Sequence, residues 1–244
     1  MKHKILYFCS IQELSIYAAQ QIRKKAISHI KNKGYFTIAF SGGKTPGTLF
    51  QVLAQEPFLS TISWNQVYIF LVDERWVPLD HINSNYKLLN DLLLSKLSIS
   101  KENIFFVDTN LSSIKKAEKK YEDKIKIFFQ SKNNNNSFPV YDLILLGMGK
   151  DGHTASLFPN NKVLEEKHRW VRQIKAPALF PSVPRISLTL PVINNARKIM
   201  FLISGKNKLN LIKEIFKRNF NKDKKVPVSL VFSRNQILWL INKE

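Results

Sequence analysis

Leu143-Ile-Leu-Leu146 is an unbroken apolar run, and three glycines and a histidine follow it at once: Gly147, Gly149, Gly152 and His153. Four apolar residues without alternation suit a strand covered on both faces, the condition of a parallel strand inside an α/β sheet. Ligands of open α/β sheets bind at the carboxyl ends of such strands. The segment 141–159 therefore predicts both a layer architecture and the place of a site within it.

The string Gly147-Met-Gly149-Lys-Asp-Gly152 satisfies the dinucleotide fingerprint G-x-G-x-x-G. That fingerprint needs a long helix directly after its third glycine, and Pro159 interrupts the chain too soon. What remains is Asp151-Gly152-His153 on a glycine-rich loop, where the backbone leaves room for a ligand and a titrating imidazole sits at a strand end. A histidine so placed is either structural or catalytic, and the residues alone leave both open.

The rest of the chain repeats the pattern. Residues 11–32 read as an amphipathic helix stopped by Gly34, and 35–40 as a short strand. Ser41-Gly42-Gly43-Lys44-Thr45-Pro46 follows, with Thr45 expected as N-cap and Pro46 as the first helical residue. Such a loop presents consecutive backbone N–H groups at a helix N-terminus, which suits an anion; the alternative is a tight strand-to-helix turn and nothing more. Ile38 occupies the position where a nucleotide-triphosphate loop requires glycine. Leu49, Phe50 and Leu53 are expected to face the core.

Residues 67–72 form the next buried strand and end in Asp73-Glu74-Arg75-Trp76-Val77-Pro78. The two carboxylates and the arginine suit either an internal salt bridge or a site. Ser84 is expected to cap a helix from Asn85 to about Leu97, followed by a strand at 104–107 and a basic helix at 114–129. Asn133 to Asn136 read as a surface loop. A strand at 170–174, a loop with Pro177, Pro181 and Pro184, the stretch Arg185-Ile-Ser-Leu-Thr-Leu, a strand at 198–204, a helix at 207–220 and a last strand at 237–241 complete the reading. Strands alternating with helices predict a layered α/β fold with a mostly parallel sheet and helices on both faces.

Composition narrows the function classes. The chain has 244 residues, 44% of them hydrophobic, enough for one core, and no glycine- or proline-rich linker divides it; residues 1–244 are read as one domain. Cys9 is the single cysteine, which excludes an internal disulfide and a multi-cysteine metal site; it is expected to be a small core residue. The apolar run after Met1-Lys-His-Lys is too short for a signal sequence, and no stretch approaches the ~20 apolar residues of a membrane span, so a cytoplasmic protein without membrane contact is expected. The formal net charge of +20 raises nucleic acid as a partner. The lysines are scattered, however, with no recognition-helix, zinc-finger or RNP signature, so no nucleic-acid partner is expected and the charge is read as bias on solvated helix faces that also attracts an anionic substrate.

Taken together, Ser41-Gly-Gly-Lys-Thr-Pro46, Asp73-Glu-Arg-Trp-Val-Pro78 with Ser84-Asn85, Gly147-Met-Gly-Lys-Asp-Gly-His-Thr-Ala-Ser-Leu-Phe-Pro159, Pro184-Arg185 and Ser204-Gly-Lys206 resemble the 6-phosphogluconolactonase family. The five motifs come in order and span nearly the whole chain. The resemblance implies a Rossmann-like fold shared with the glucosamine-6-phosphate deaminases. It also implies hydrolysis of 6-phospho-D-glucono-1,5-lactone to 6-phosphogluconate in the pentose phosphate pathway, without metal or organic cofactor. The deaminases are the main competing reading. They resemble this chain through Asp-Gly-His but continue to Asn-Glu-Pro, whose glutamate takes part in catalysis; here the stretch is Leu157-Phe158-Pro159, and Phe158 cannot transfer a proton.

By the resemblance and by the needs of the reaction, His153 is expected to be the general base with Asp151 orienting it or the water. The phosphate grip is expected from Ser41, Gly42, Gly43, Lys44 and Thr45, joined by Arg75, Arg185 and Lys206. Asp73 is expected to hold loops or bind substrate hydroxyls, and N–H groups of the 147–152 loop to steady a developing oxyanion. The nucleophile is expected to be water, since no Gly-x-Ser-x-Gly elbow is present. The partner is a small sugar-phosphate lactone, and the expected assembly is a monomer or small homo-oligomer.

Overall fold

A computed structural model describes residues 2–132, 137–176, 181–217, 222–233 and 235–243. The asparagine run at 133–136, Pro177 and the end of the helix expected at 207–220 lie outside the described residues. In chain order the elements are β1 (Lys2–Phe8), α1 (Ile11–Lys33), β2 (Phe36–Phe40), α2 (Lys44–Leu53), α3 (Phe58–Thr61), β3 (Val67–Leu71), β4 (Asp73–Arg75), α4 (Asn85–Leu92), β5 (Ile104–Phe105), α5 (Ile114–Ser131), β6 (Leu143–Leu146), β7 (Val171–Ile174), β8 (Arg185–Leu188), α6 (Leu190–Asn194), β9 (Lys198–Ser204), α7 (Lys206–Lys217) and β10 (Gln236–Asn242).

Seven strands form one sheet in the order β1-β10-β9-β6-β2-β3-β5, every neighbouring pair parallel. Alternation along the strands divides the apolar side chains between two cores. In β6, Leu143 and Leu145 face the layer holding α1 and α2, whereas Ile144 and Leu146 face the layer holding α5 and α7; β10 does the same with Leu238 and Leu240 against Ile237, Trp239 and Ile241. Both faces are therefore covered, which is why these strands are continuously apolar in sequence. Burial of each such side chain stabilises the fold by about 1.5–3 kcal/mol.

From β2 the chain moves one way across the sheet, to β3 and β5, and from β6 it moves the other way, to β9 and β10. The reversal falls between the adjacent strands β2 and β6, and it opens a crevice at their carboxyl ends. Asp142, fully buried at the amino end of β6, fixes that pair by accepting from the Thr37 backbone N–H at 2.9 Å and hydroxyl at 3.0 Å, and from Lys33 at 2.8 Å.

One serine cap and one glycine stop act where expected. The Ser84 hydroxyl accepts from Lys87 N, and Gly34 closes α1 in the left-handed region at φ 83°. Five expectations need correction. A second, antiparallel sheet, β4-β8-β7, packs beside the main one; of its strands only β7 was expected, as the strand at 170–174, and the pairing of the three was not. The helix begins at Lys44 rather than Pro46, with Gly43 as N-cap at φ 116°, because the Gly43 carbonyl already accepts from Gly47 N at 3.0 Å. α4 stops at Leu92 and gives way to a 3₁₀ turn at Leu94–Lys96. β5 is two residues long, because only Ile104 and Phe105 find partners on β3. Cys9 is exposed, since β1 ends at Phe8 and the chain turns into α1 there.

Candidate active site

The crevice between the β2 and β6 loops is a cleft of ≈ 570 Å³. Its floor is the 41–45 loop, where two glycines are needed for different reasons. Gly43 takes a left-handed φ that a side chain disfavours. A Cβ on Gly42 would lie 1.8 Å from Asn85 Oδ1, so the buried Asn85 side chain packs against the loop in space that glycine leaves open. The N-terminus of α2, with Lys44 and Thr45, opens into the cleft.

One wall comes from β4 and β8. Arg75 and Arg185 are register partners across these strands, and both line the cleft. The Arg75 guanidinium donates to Asn83 O at 2.8 Å, and Arg185 donates to Pro181 O at 2.9 Å. Burial lowers the Arg185 pKa, partly opposed by the nearby Asp73 carboxylate. Glu74, 1% exposed, points away from the cleft and ties the loop: its carboxylate accepts from the backbone N–H groups of Arg75, Asn85 and Tyr86, each at 2.7 Å, and from the Ser84 hydroxyl at 3.2 Å. Burial pushes the Glu74 carboxyl up to about 7 even though these N–H groups and Arg75 pull it down. The salt-bridge alternative for Asp73-Glu74-Arg75 thus resolves unevenly, with Glu74 structural and Asp73 and Arg75 in the cleft.

The opposite wall is the β6 loop. His153 Nδ1 lies 2.5 Å from Asp151 Oδ1, and the same oxygen accepts from the His153 backbone N–H at 3.2 Å. A Cβ on Gly149 would lie 2.1 Å from the imidazole, so that glycine makes room for the ring. Burial raises the Asp151 pKa, but the hydrogen bond and charge of His153 outweigh it and hold the carboxyl below its ordinary value. With Nδ1–H assigned as donor to this carboxylate, Nε2 is left as the basic nitrogen. The Phe158 ring packs against His153 with centroids 4.7 Å apart, and the Arg185 guanidinium sits 5.9 Å from the Phe158 ring centroid.

Four buried side-chain atoms around the cleft have no hydrogen-bond partner among the described residues: Ser41 Oγ, Arg75 Nε, Asn85 Oδ1 and Arg185 Nε. Unpaired polar atoms are costly when dry, and these four belong to residues that line the cleft. The structure thus brings Ser41, Gly42, Gly43, Lys44, Thr45, Asp73, Arg75, His153 and Arg185 to one cleft, with Asp151 behind His153.

Lys206 does not join them. It starts α7 and faces an adjacent depression with Ser204 and Asn207, while Lys208, two residues on, reaches the cleft together with Lys150. Burial, aided by Lys150, lowers the Lys208 pKa. Asn85, Lys150 and Lys208 were missed in sequence; only the Ser-Asn helix start hinted at the first, and helix phase decides between Lys206 and Lys208. The expected oxyanion donors are also reduced, because Gly149 N donates to His153 O at 2.8 Å and Gly152 N to Gly149 O at 3.2 Å. Among the described residues no group of three or more His, Cys, Asp or Glu side chains is placed to hold a metal, and no helix is long and apolar enough to cross a membrane.

Residues 10–239 match the family described as glucosamine-6-phosphate isomerases/6-phosphogluconolactonase. A 6-phosphogluconolactonase of Thermotoga maritima is 33% identical over 227 residues, covering 93% of each chain. A protein named probable 6-phosphogluconolactonase 2 of Arabidopsis thaliana is 34% identical over 246 residues, covering 97% of this chain and 92% of its own. The crystal structure of the Thermotoga maritima enzyme superposes with a TM-score of 0.85 at 32% identity, over 99% of this chain and 100% of that one.

Proposed function

Because the chain belongs to the glucosamine-6-phosphate isomerase/6-phosphogluconolactonase family, we propose that it hydrolyses 6-phospho-D-glucono-1,5-lactone to 6-phosphogluconate, with His153 as the general base. The observation that carries this reading is the Asp151–His153 pair in a cationic cleft, with Phe158 against the imidazole. The substrate has a phosphate dianion at one end and an electrophilic carbonyl at the other, and the cleft offers a cationic floor and wall opposite an imidazole base.

The phosphate is held by backbone N–H groups at the start of α2, by Lys44 and Thr45, and by Arg185, with Arg75 and Lys208 adding charge. Each charge-assisted contact is worth about 1.5–3 kcal/mol. His153 Nε2 takes a proton from water as its oxygen attacks the lactone carbonyl, and Asp151 stabilises the imidazolium that forms. The tetrahedral intermediate collapses by breaking the bond to the ring oxygen. The imidazolium returns its proton to that oxygen, so the products are a carboxylic acid, which ionises, and a free hydroxyl. Lactones are activated esters, so positioning and one general base suffice.

Glucosamine-6-phosphate deamination is the competing chemistry on this fold. It needs a carboxylate where Phe158 stands, and an aromatic ring packed on the base offers no proton. We read residues 1–244 as one domain, since no glycine- or proline-rich linker divides the sequence.

The test is hydrolysis of freshly generated 6-phosphogluconolactone at pH 7 against the spontaneous background. Turnover well above background by wild type, falling to near background in His153→Ala, is expected. Equal rates for the two proteins would move the base elsewhere, and a wild-type rate equal to buffer, with ammonia released from glucosamine 6-phosphate, would overturn the lactonase reading.

A further inference from the structure

The turn between His153 and Phe158 contains a non-glycine residue in the left-handed region, Ala155 at φ 51°. Such a conformation costs free energy and persists where the surroundings fix it. Here Thr154 and Leu157 pair across the turn, with Leu157 N donating to Thr154 O at 2.9 Å, and the Thr154 hydroxyl donates to Gly147 O at 2.9 Å.

What the turn delivers is Ser156. Its side chain is fully buried, and its hydroxyl donates to Asp73 Oδ2 at 2.5 Å. Its backbone N–H points to the Ser187 hydroxyl at 3.4 Å, and Ser187 is the register partner of Asp73 across β4 and β8. The Asp73 carbonyl in turn accepts from Asn85 Nδ2 at 2.8 Å. Asp73 is thereby held by its main chain and by one of its two carboxylate oxygens. The other, Oδ1, has no partner among the described residues, and Asp73 is the one carboxylate lining the cleft, facing five cationic side chains, Lys44, Arg75, Lys150, Arg185 and Lys208.

We infer that Ser156 is a positioning residue for substrate recognition: by occupying Asp73 Oδ2 it leaves Oδ1 to accept a hydrogen bond from a ring hydroxyl of the sugar phosphate. A carboxylate repels the phosphate, so Asp73 reads the hydroxylated end of the substrate while the cations read the charged end. The strained turn that carries His153 also carries Ser156, so base and hydroxyl reader are set in register by one short segment. The inference rests on the lactone reading for the identity of the substrate, but its binding arm does not depend on turnover.

The experiment is a double-mutant cycle of Ser156→Ala and Asp73→Ala, read by steady-state kinetics on the lactone and by calorimetric binding of 6-phosphogluconate, with inorganic phosphate as a competitor. Ser156→Ala is expected to raise KM and weaken 6-phosphogluconate binding by about 10-fold, with kcat within about 3-fold and phosphate inhibition unchanged. In the Asp73→Ala background the same substitution is expected to do nothing further. Ser156→Thr, which keeps the hydroxyl, is expected to restore most of the affinity. An unchanged KM and product affinity in Ser156→Ala, an equal loss in the Asp73→Ala background, or a parallel loss of phosphate inhibition would each overturn the assignment. If wild type bound 6-phosphogluconate yet failed to turn over the lactone, the hydrolase reading would fall while the binding arm still decided the role of Ser156.

Discussion

The His153 and Phe158 rings lie 4.7 Å apart, five residues from each other on one loop, and Asp151 Oδ1 holds the imidazole from the other side at 2.5 Å. The imidazole is thus held between a carboxylate and an aromatic face, which limits its motion.

That clamp predicts the effect of loosening one jaw. Asp151→Asn keeps the shape but removes the charge that stabilises the imidazolium, so kcat is expected to fall by about 10²–10⁴-fold while KM changes little. Stopped-flow or rapid pH-indicator assay of lactone opening checks it; a loss confined to KM would place Asp151 in binding instead.

Gly42→Ala tests the closeness of the 41–45 loop to α4. A Cβ there would sit 1.8 Å from Asn85 Oδ1, so the buried Asn85 side chain must leave its hydrogen bond to Asp73 O or the loop must move. The expected outcome is a destabilisation of about 1–3 kcal/mol, seen as a lower thermal midpoint, together with a raised KM.

The two lysines of α7 separate by position. Lys208 lines the cleft and Lys206 does not. Lys208→Ala is expected to raise KM by about 10-fold or more, and Lys206→Ala by clearly less, in initial-rate measurements at low ionic strength.

Glu74 predicts a pH signature in stability. Its folded pKa is raised, from an ordinary 4.5 to about 7, so the native state retains a proton that the unfolded chain has released. Its contribution is therefore full below about pH 4.5 and is lost as pH rises through 7, on the order of 3 kcal/mol across that window. His3 and His29, both lowered by burial, act with the opposite sign as pH falls, so the wild-type profile alone is a mixture. The difference between the thermal midpoints of wild type and Glu74→Gln, followed from pH 4.5 to 8, isolates Glu74. It is expected to change in the direction of lost wild-type stability as pH rises; a flat difference would sink the assignment.

The sequence by itself determined the parallel core and the two loops that matter most. Short continuous apolar runs such as 143–146, bounded by glycines, suit strands covered on both faces, and the glycines after them, at 42–43 and 147–152, mark where the backbone approaches a ligand or another segment. Asp151 and His153 were legible as titratable groups on the glycine-rich loop after a strand, and Arg75 as a residue at a strand end, whereas Arg185 entered through the family resemblance. The structure brings Arg75, Arg185 and His153 to one cleft, with Asp151 behind His153. Three things were decided only by the tertiary structure. The partnership of Ser156 with Asp73 joins residues 83 apart in sequence, the β4-β8-β7 sheet assembles from three distant short segments, and the choice of Lys208 over Lys206 depends on where α7 starts and how it is turned. Local pattern specifies what a segment must bury and where it must bend. Which polar side chains meet across the cleft depends on loop closures and helix phase, and these are set only once the sheet has brought its strand ends together.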